Sequence, residues 1–414
     1  MRRDPSDRTA GACGLLQLPT RRRILLIVAI LAGALVATRN ATRESFAAPE
    51  FIPAFRAVDR AGAPDTAPYF ARAWITPEGH AASVHSSTIC LLPSGDLFAA
   101  WYGGTREGAA DVALFASRLT PGKNTGAWGR PAKIVDRELA ESELDRRIKK
   151  VGNAVVFADR AGTLWMIYVS VSLGGWSGSA LNIKTSRDEG LTWSESQRLT
   201  LNPFLNISTL VRNKPIHAND GRIGVPVYHE FAQKFPQMLW LTPDADGRVE
   251  DYQIRNLATE VGLIQPTLVP LGGDRVLMML RDGSATRRLR TAYSDDNGWT
   301  WSATATSELP NPDSAVDALR LRDGRIVLAY NHAENGRGNL RLAVSADDGR
   351  SWQAGPVIEA AGDGEFSYPQ LAADRRSRIH LIYTWKRERI RHVEFNAAWL
   401  DRGGATTASV ALNP

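Results

Sequence analysis

Polar and charged side chains recur at one end of a series of similar apolar strand pairs. They are His85, Asn153, Arg212, Asn213, Lys214, Tyr228, His229, Glu230, Asp317 and Asn331. Each alone has an ordinary structural use. Asn213 and Asp317 can cap strand starts, Tyr228 can be core, and His85 can be a hydrogen-bonded core histidine. Convergence is what makes the set informative: imidazole, guanidinium, amide and carboxylate groups from distant segments become a ligand site when their loops gather around one cavity. Other chemistries lack their motifs. There is no G-x-S-x-G elbow and no phosphate loop, which removes serine-triad hydrolysis and phosphoryl transfer. The seven His are scattered, without H-E-x-x-H or clustered Cys, so no metal or other cofactor is expected, although calcium in loops stays open.

What must position such residues is written in three short turns: SRDEGLTW (Ser186 to Trp193), SDDNGWTW (Ser294 to Trp301) and SADDGRSW (Ser345 to Trp352). In this Asp-box the Asp accepts turn amides, the Gly takes positive φ and the Trp folds back as an apolar plug. The boxes start 108 and then 51 residues apart, so the wide gap has room for two units. Worn copies are visible at LTPDADGRVEDY, with Asp244, Asp246 and Gly247, and at Ser117 to Trp128. Ahead of the turns sit apolar strand pairs joined at Gly95, Gly162, Gly221, Gly273, Gly324 and Ser377, spaced by 67, 59, 52, 51 and 53 residues. Six such units, with short alternating strands and no long helical periodicity after residue 60, predict an all-β, six-bladed propeller over 68–400. Twelve Trp and an apolar fraction of 43% supply its core.

The formal net charge is +6, but the first 23 residues carry six Arg and two Asp, which leaves about +2 for the rest. Nucleic acid is therefore not an expected partner. The basic cluster Arg375, Arg376, Arg378, Lys386, Arg387, Arg389 and Arg391 alternates with apolar residues and reads as a solvated face. Behind the basic segment 1–23 lies an uncharged run of fourteen residues, Ile24–Ala37. It fits a signal-peptide core or an uncleaved, helical membrane anchor over 24–38, and both readings place the propeller in the periplasm or outside the cell. A tether over 39–67 and a tail over 401–414 complete the organisation. Cys13 and Cys90 flank the apolar run, so no disulfide framework exists.

Asp-boxes at propeller spacing, with RGNLRLAVSADDGRSW followed by EFSYP, resemble the sialidase superfamily, in its bacterial BNR-repeat branch, over about 80–396. The box identifies a fold better than an activity. The resemblance implies an arginine triad for a substrate carboxylate, a Tyr nucleophile activated by a Glu, and an Asp acid/base. Guanidinium forks suit a carboxylate, and a neutral phenol attacks beside an anionic sugar without the repulsion a carboxylate would meet.

Carried over by position, Arg281, ending the inner strand of the fourth unit, and Arg337, before the third box, match two arginines. Tyr368 matches the nucleophile, and Asp111 the acid/base, with Glu107 in the same GGTREGAAD loop as its competitor. Two positions depart from the pattern. Gln265 stands where the activating Glu belongs and His85 where the first arginine belongs, while Glu365 could replace the base. Arg212, Asn213, Lys214, Asp317 and Asn331 would complete the substrate site, and Trp176 and Trp240 could stack on sugar, though both suit the core. The expectation is a glycoside hydrolase acting on a terminal acidic sugar, with a lyase as a variant. The alternative is a non-catalytic, membrane-tethered carbohydrate-binding propeller.

Overall fold

The structure is a computed structural model that describes residues 67–404, apart from 122–126, 203–205, 232 and 259, together with 410–411 and a few residues near the N-terminus. Most of the basic segment, of the tether and of the tail lies outside the described residues. Two units are separated, the smaller comprising 1–48 with 202–205. There, Arg21, Ile24, Leu25, Ile27, Val28, Ala29 and Leu31 are helical and exposed. No helix among the described residues is long and apolar enough to cross a membrane.

The larger unit contains six sheets, antiparallel except where Val410–Ala411 runs parallel to Phe70–Trp74, and their innermost strands begin at Ser83, Lys150, Thr209, Leu263, Asp317 and Phe366. This is the expected six-bladed propeller. All six anchor residues of the inner turns have positive φ: Gly95 93°, Gly162 89°, Gly221 92°, Gly273 57°, Gly324 91° and Ser377 66°. Strands deep in a blade are buried on both faces, as in Leu164–Val171, whereas outer strands such as Gln353–Ala360 are partly exposed. Six apolar clusters follow, one in each seam between neighbouring blades. Blade packing, not any single sheet, buries the hydrophobic surface.

The first described strand, Phe70–Trp74, does not open the first blade. It is the fourth strand of the sixth, antiparallel to Arg389–Phe395 with Phe70 opposite Phe395 and Trp74 opposite Arg391, and Val410–Ala411 pairs with it on the outside. Short helices, Arg137–Leu144 and Ala397–Asp401, interrupt the all-β pattern.

The Asp-boxes join third to fourth strands, on the face opposite the mouth formed by the starts of the inner strands. In the last box Asp347 accepts Ser345 Oγ at 2.7 Å, Arg350 N at 3.1 Å, Ser351 N at 2.9 Å and Ser351 Oγ at 2.6 Å, while Gly349 N donates to Ser345 Oγ at 2.8 Å. The residue before each box Gly is also left-handed: Glu189 58°, Asn297 59° and Asp348 60°. Each box Trp is only partly buried; Trp193 packs against Phe98 of the preceding blade at 6.1 Å between centroids.

The hydrogen bonds, first those from Ser351, lower the Asp347 carboxyl to about 2. Its stabilisation is therefore present above the ordinary value of 3.8 and lost as pH falls through about 2. Replacing Asp347 with Ala should lower the denaturation midpoint at neutral pH, at a cost of roughly 1–3 kcal/mol. The difference from the native chain should shrink as pH falls from 4 toward 2. An unchanged midpoint at pH 7 would remove the box from the list of folding devices.

Candidate active site

Four inner strands open with an irregularity instead of a clean ladder. Register shifts lie between His85 and Thr88, Gly152 and Ala154, Ile264 and Thr267, and Ser367 and Gln370. Inside them Ser86 (φ 54°), Asn153 (24°), Gln265 (53°) and Tyr368 (54°) are left-handed. Such bulges re-aim side chains, and here they do so at the mouth of the propeller axis. An aromatic residue with φ near +54° is uncommon, and the strain, of order 1–3 kcal/mol, persists only where the surroundings enforce it.

The surroundings of Tyr368 do enforce it. Blade 3 has a broken inner strand, Thr209–Val211 and Ile216–His217, and the segment between the two pieces crosses toward other blades. Arg212 Nη2 donates to Pro369 O at 3.0 Å, next to Tyr368. Asn213 Nδ2 donates to Gln265 O at 3.1 Å, Pro266 O at 3.0 Å and Thr267 Oγ1 at 2.7 Å, which ties down the blade 4 bulge. Lys214 Nζ pairs with Asp317 and donates to Leu371 O at 3.0 Å, while Asp317 accepts Leu371 N at 2.7 Å. Asn331 Nδ2 donates to Phe366 O at 2.8 Å. The donors of Asn213, Lys214 and Asn331 and the Oδ2 of Asp317 thus go to neighbouring strands and to one another and position the site, while the Oδ1 atoms of Asn213, Asp317 and Asn331 have no partner among the described residues.

Around the Tyr368 ring the structure brings together the other expected residues. His85 meets it edge to face with centroids 4.5 Å apart, and the guanidinium carbons of Arg212 and Arg337 lie 5.0 and 5.9 Å from its centroid. Arg212 is 1% exposed, and its Nε and Nη1 have no hydrogen-bond partner among the described residues. Burial lowers its affinity for a proton, opposed by the charges of Asp317 and nearby tyrosines. His85 Nδ1 lies 3.1 Å from Thr384 Oγ1, and its Nε2 has no partner among the described residues. Burial first, then the cations Arg387, Arg337 and Arg212, push the imidazole well below its usual range. At neutral pH His85 is uncharged, and with Nδ1–H given to Thr384 its Nε2 can accept a proton.

Arg281 lies in the second strand of blade 4, Arg275–Asp282, not in the inner one. Its Nε donates to Asp313 Oδ1 at 2.6 Å and its Nη1 to Gln265 Oε1 at 3.1 Å, and Gln265 Nε2 donates onward to Tyr228 Oη at 3.3 Å. Burial works against the Arg281 charge, but Tyr368 and Asp313 sustain it and raise its proton affinity. Arg337 Nη2 donates to Asp313 O at 3.1 Å, so Asp313, itself left-handed at φ 57°, links both arginines.

Arg387 belongs to the cluster expected to be solvated, yet it reaches into the site. Its Nε donates to Glu365 Oε2 at 2.7 Å and its Nη1 to Glu107 Oε2 at 2.6 Å, and Glu365 also faces Arg337 at 3.5 Å. Burial would raise the Glu365 carboxyl, but Arg387, Ser367 and Arg337 outweigh it and hold it below the usual glutamate range. Lys386 (φ 52°) and Arg387 (φ 59°) form the centre of the tight turn that aims Arg387 inward. No Gly or Asn marks that turn, so the sequence carried no signal for it.

Asp111 is exposed and accepts Thr105 N at 2.9 Å and Thr105 Oγ1 at 2.9 Å, capping the loop that also carries Glu107. No contact joins it to Tyr368 among the described residues. His229 stacks on Phe235 at 4.7 Å and Glu230 pairs with Lys234 at 3.1 Å. Trp240 is core at 2% exposure, whereas Trp176 lies under Lys150 Nζ at 3.9 Å. Among the described residues no group of His, Cys, Asp and Glu could hold a metal ion.

Comparisons with known proteins agree with this architecture. No curated protein matches the chain. Among solved structures, a Hadza microbial sialidase superposes with a TM-score of 0.66 at 15% identity, covering 80% of this chain and 69% of that one. The intramolecular trans-sialidase of Ruminococcus gnavus, solved with oseltamivir carboxylate, gives 0.61 at 15% identity over 80% and 98% of the two chains. A protein of unknown function from Dyadobacter fermentans gives 0.62 at 16% over 78% and 97%. At such identities the likeness is one of fold. The BNR repeat-like domain matches residues 95–381, more than half of the sequence, and the chain belongs to that family, with its repeats built into a six-bladed propeller of the sialidase type.

Proposed function

We propose that the axial site receives the terminal acidic sugar of a glycan and that the chain is an exo-acting, sialidase-like glycoside hydrolase working outside the cytoplasm. One observation carries the reading: Arg212 and Arg337 converge on the Tyr368 ring, Arg281 adjoins through Gln265 and Asp313, and the buried Arg212 keeps two unpartnered donors. Buried cations without partners are costly, and a ligand carboxylate would satisfy them. Strain at Tyr368 favours chemistry over simple binding, because a residue held off its preferred backbone signals a site that is enforced.

In this mechanism the substrate carboxylate neutralises the guanidiniums that lower the proton affinity of His85, and Tyr368 then attacks the anomeric carbon and passes its proton to His85 Nε2. Glu365 is already committed to Arg387 and Ser367, and Gln265 cannot take a proton. Asp111 or Glu107 protonates the leaving oxygen, and water then releases the sugar. The basic N-terminal segment and the apolar run behind it support export or anchoring. A second reading, a carbohydrate-binding propeller without turnover, is favoured by Gln265 and by the capping role of Asp111.

A panel of acidic and neutral glycans, scored for both released sugar and thermal shift, separates the two. Release from an acidic glycan is the expected result; a shift without release makes the chain a binder, and neither response ends the proposal. Tyr368→Phe should cut turnover by about a thousandfold or more while binding stays within a few-fold. Retained turnover would exclude Tyr368 from the reaction.

Arg281→Lys should weaken acidic glycans by roughly tenfold to a hundredfold and neutral ones far less, since Lys cannot reproduce the guanidinium fork. Equal losses would point to a structural arginine.

Because Arg387 contributes to the depressed Glu365 carboxyl, the pair stabilises the fold above about pH 4.5 and loses that contribution as pH falls below it. Arg387→Met should raise the Glu365 carboxyl in a carbon-13 titration and cost up to about 1 kcal/mol at pH 7. A carboxyl that titrates unchanged would contradict the ion pair.

A further inference from the structure

Inside the seam between blades 6 and 1 runs a chain of polar groups that the chemistry at Tyr368 does not use. His380, in the second strand of blade 6 (Ile379–Trp385), and His392, in the third (Arg389–Phe395), are 0% and 1% exposed. Their rings stack with centroids 5.2 Å apart, and His380 Nδ1 lies 3.0 Å from His392 Nε2. From blade 1, Trp128 Nε1 donates to His392 Nδ1 at 3.2 Å, its ring meeting the imidazole edge to face at 88°. From the inner hairpin of blade 6, Asp374 Oδ2 faces His380 Nε2 at 3.7 Å. The segment that carries Trp128 is pinned to its own blade, with Gly129 N donating to Arg118 O at 2.8 Å and Ser117 Oγ to Gly129 O at 2.7 Å.

The indole fixes every proton in this chain. Its nitrogen can only donate, so His392 Nδ1 must accept, and a neutral His392 then carries its hydrogen on Nε2 and gives it to His380 Nδ1. His380 in turn carries its hydrogen on Nε2, turned toward Asp374. Two neutral imidazoles satisfy the chain in this one arrangement, and it has no place for another proton. On His392 Nδ1, an added proton meets the indole N–H head on. On His380 Nδ1, it reverses the bond between the histidines, moves the His392 hydrogen to Nδ1 and produces the same clash. The bond lost is in both cases the one to blade 1.

We infer that Trp128, His392, His380 and Asp374 form a proton-operated latch on the ring, which fastens blade 1 to blade 6 in neutral solution and lets Trp128 go when the histidine pair takes up one proton. The inference goes beyond the proposed function and does not depend on it. Few groups face the pair. Ala372 of the inner strand stands opposite His380, and Ile382 and Ala73 stand opposite His392. Glu394, also opposite His380, is taken by Arg378 at 2.7 Å, and Arg378 lies 3.6 Å from the Tyr69 ring, while Arg375 turns away to Pro93 O. The charge left to act on the pair is that of Asp374. Burial would raise its carboxyl, but His380 and the amides of Arg378 and Arg376, at 2.8 and 2.9 Å, hold it below the usual aspartate range, so it stays ionised in mild acid. Burial first, and then His380, push the His392 imidazole well below its ordinary value of 6.5. The latch is therefore fully fastened above that value, and its contribution is lost as pH falls through the depressed one.

The test is amide hydrogen exchange of the full chain, read at residues 127–135 and at Arg389–Phe395, with the third strand of blade 4, Arg288–Ser294, as the control. After correction for the intrinsic rate, protection at the seam should drop about tenfold or more between about pH 7.5 and about pH 4.5, while the control changes less than about twofold. His380→Gln should keep the latch fastened in acid, with seam protection constant within about twofold, because a Gln amide donates to Asp374 and accepts from His392 but takes no proton. Trp128→Phe, at a half-buried position, removes the donor; its seam should already be less protected at neutral pH and change little on acidification. That variant decides the matter if His380→Gln does not fold. A native seam equally protected at both pH values overturns the latch, and so does an acid loss of the same size in the native chain and in the variants.

Discussion

Six sheets that converge on one axis leave a column that backbone cannot fill, and what fills it here is the break in the inner strand of blade 3. Through Arg212, Asn213 and Lys214 this short segment bonds to blades 4, 5 and 6, across sequence distances of 52 to 157 residues. Each bond ends on the backbone of a neighbouring inner strand or on a residue that holds one. The bulges at Gln265 and Tyr368 are consequently fixed by a shared network, and strained conformations that a single blade could not sustain become ordinary parts of the fold.

Electrostatics then divide the axial region into two layers. Below, Lys214 and Asp317 neutralise each other. Above, Arg212, Arg281, Arg337 and Arg387 surround Tyr368 and His85, and the carboxylates of Asp313, Glu365 and Glu107 compensate three of them. Arg212 receives no carboxylate in contact, and that asymmetry leaves the upper layer with one buried cation uncompensated. The same field keeps His85 neutral, because burial and guanidinium charge act in one direction on an imidazole.

The repeat was legible in the sequence because it is local. Gly95, Gly162, Gly221 and Gly324 must take positive φ where a tight turn joins two strands, and the Asp of each box must find its amides within four residues. Tyr368 and Arg337 could be picked out by their places relative to such turns. What escaped is whatever depends on partners far along the chain. Asn213 reads as a ligand contact, and only the structure shows that Gln265, Pro266 and Thr267 take its amide nitrogen and leave Oδ1 open. Arg387 reads as solvated because alternation along a strand says nothing of a left-handed pair that turns it inward. Asp313 carries no motif, and its place between two arginines exists only in three dimensions.

The sixth seam has a kinetic meaning. Every other blade is a run of consecutive hairpins, which can form as soon as its own residues are available. Blade 6 has to wait for Phe70 to find Phe395, 325 positions away, and until it does the strand Arg389–Phe395 presents an unpaired edge. On a ribosome the first strand emerges long before its partner exists, so the nascent ring stays open throughout synthesis and shuts in one late, non-local step. During that interval the same strand from a second molecule fits the edge equally well, which makes exchange of Phe70–Trp74 between chains the natural misassembly of this protein at high concentration.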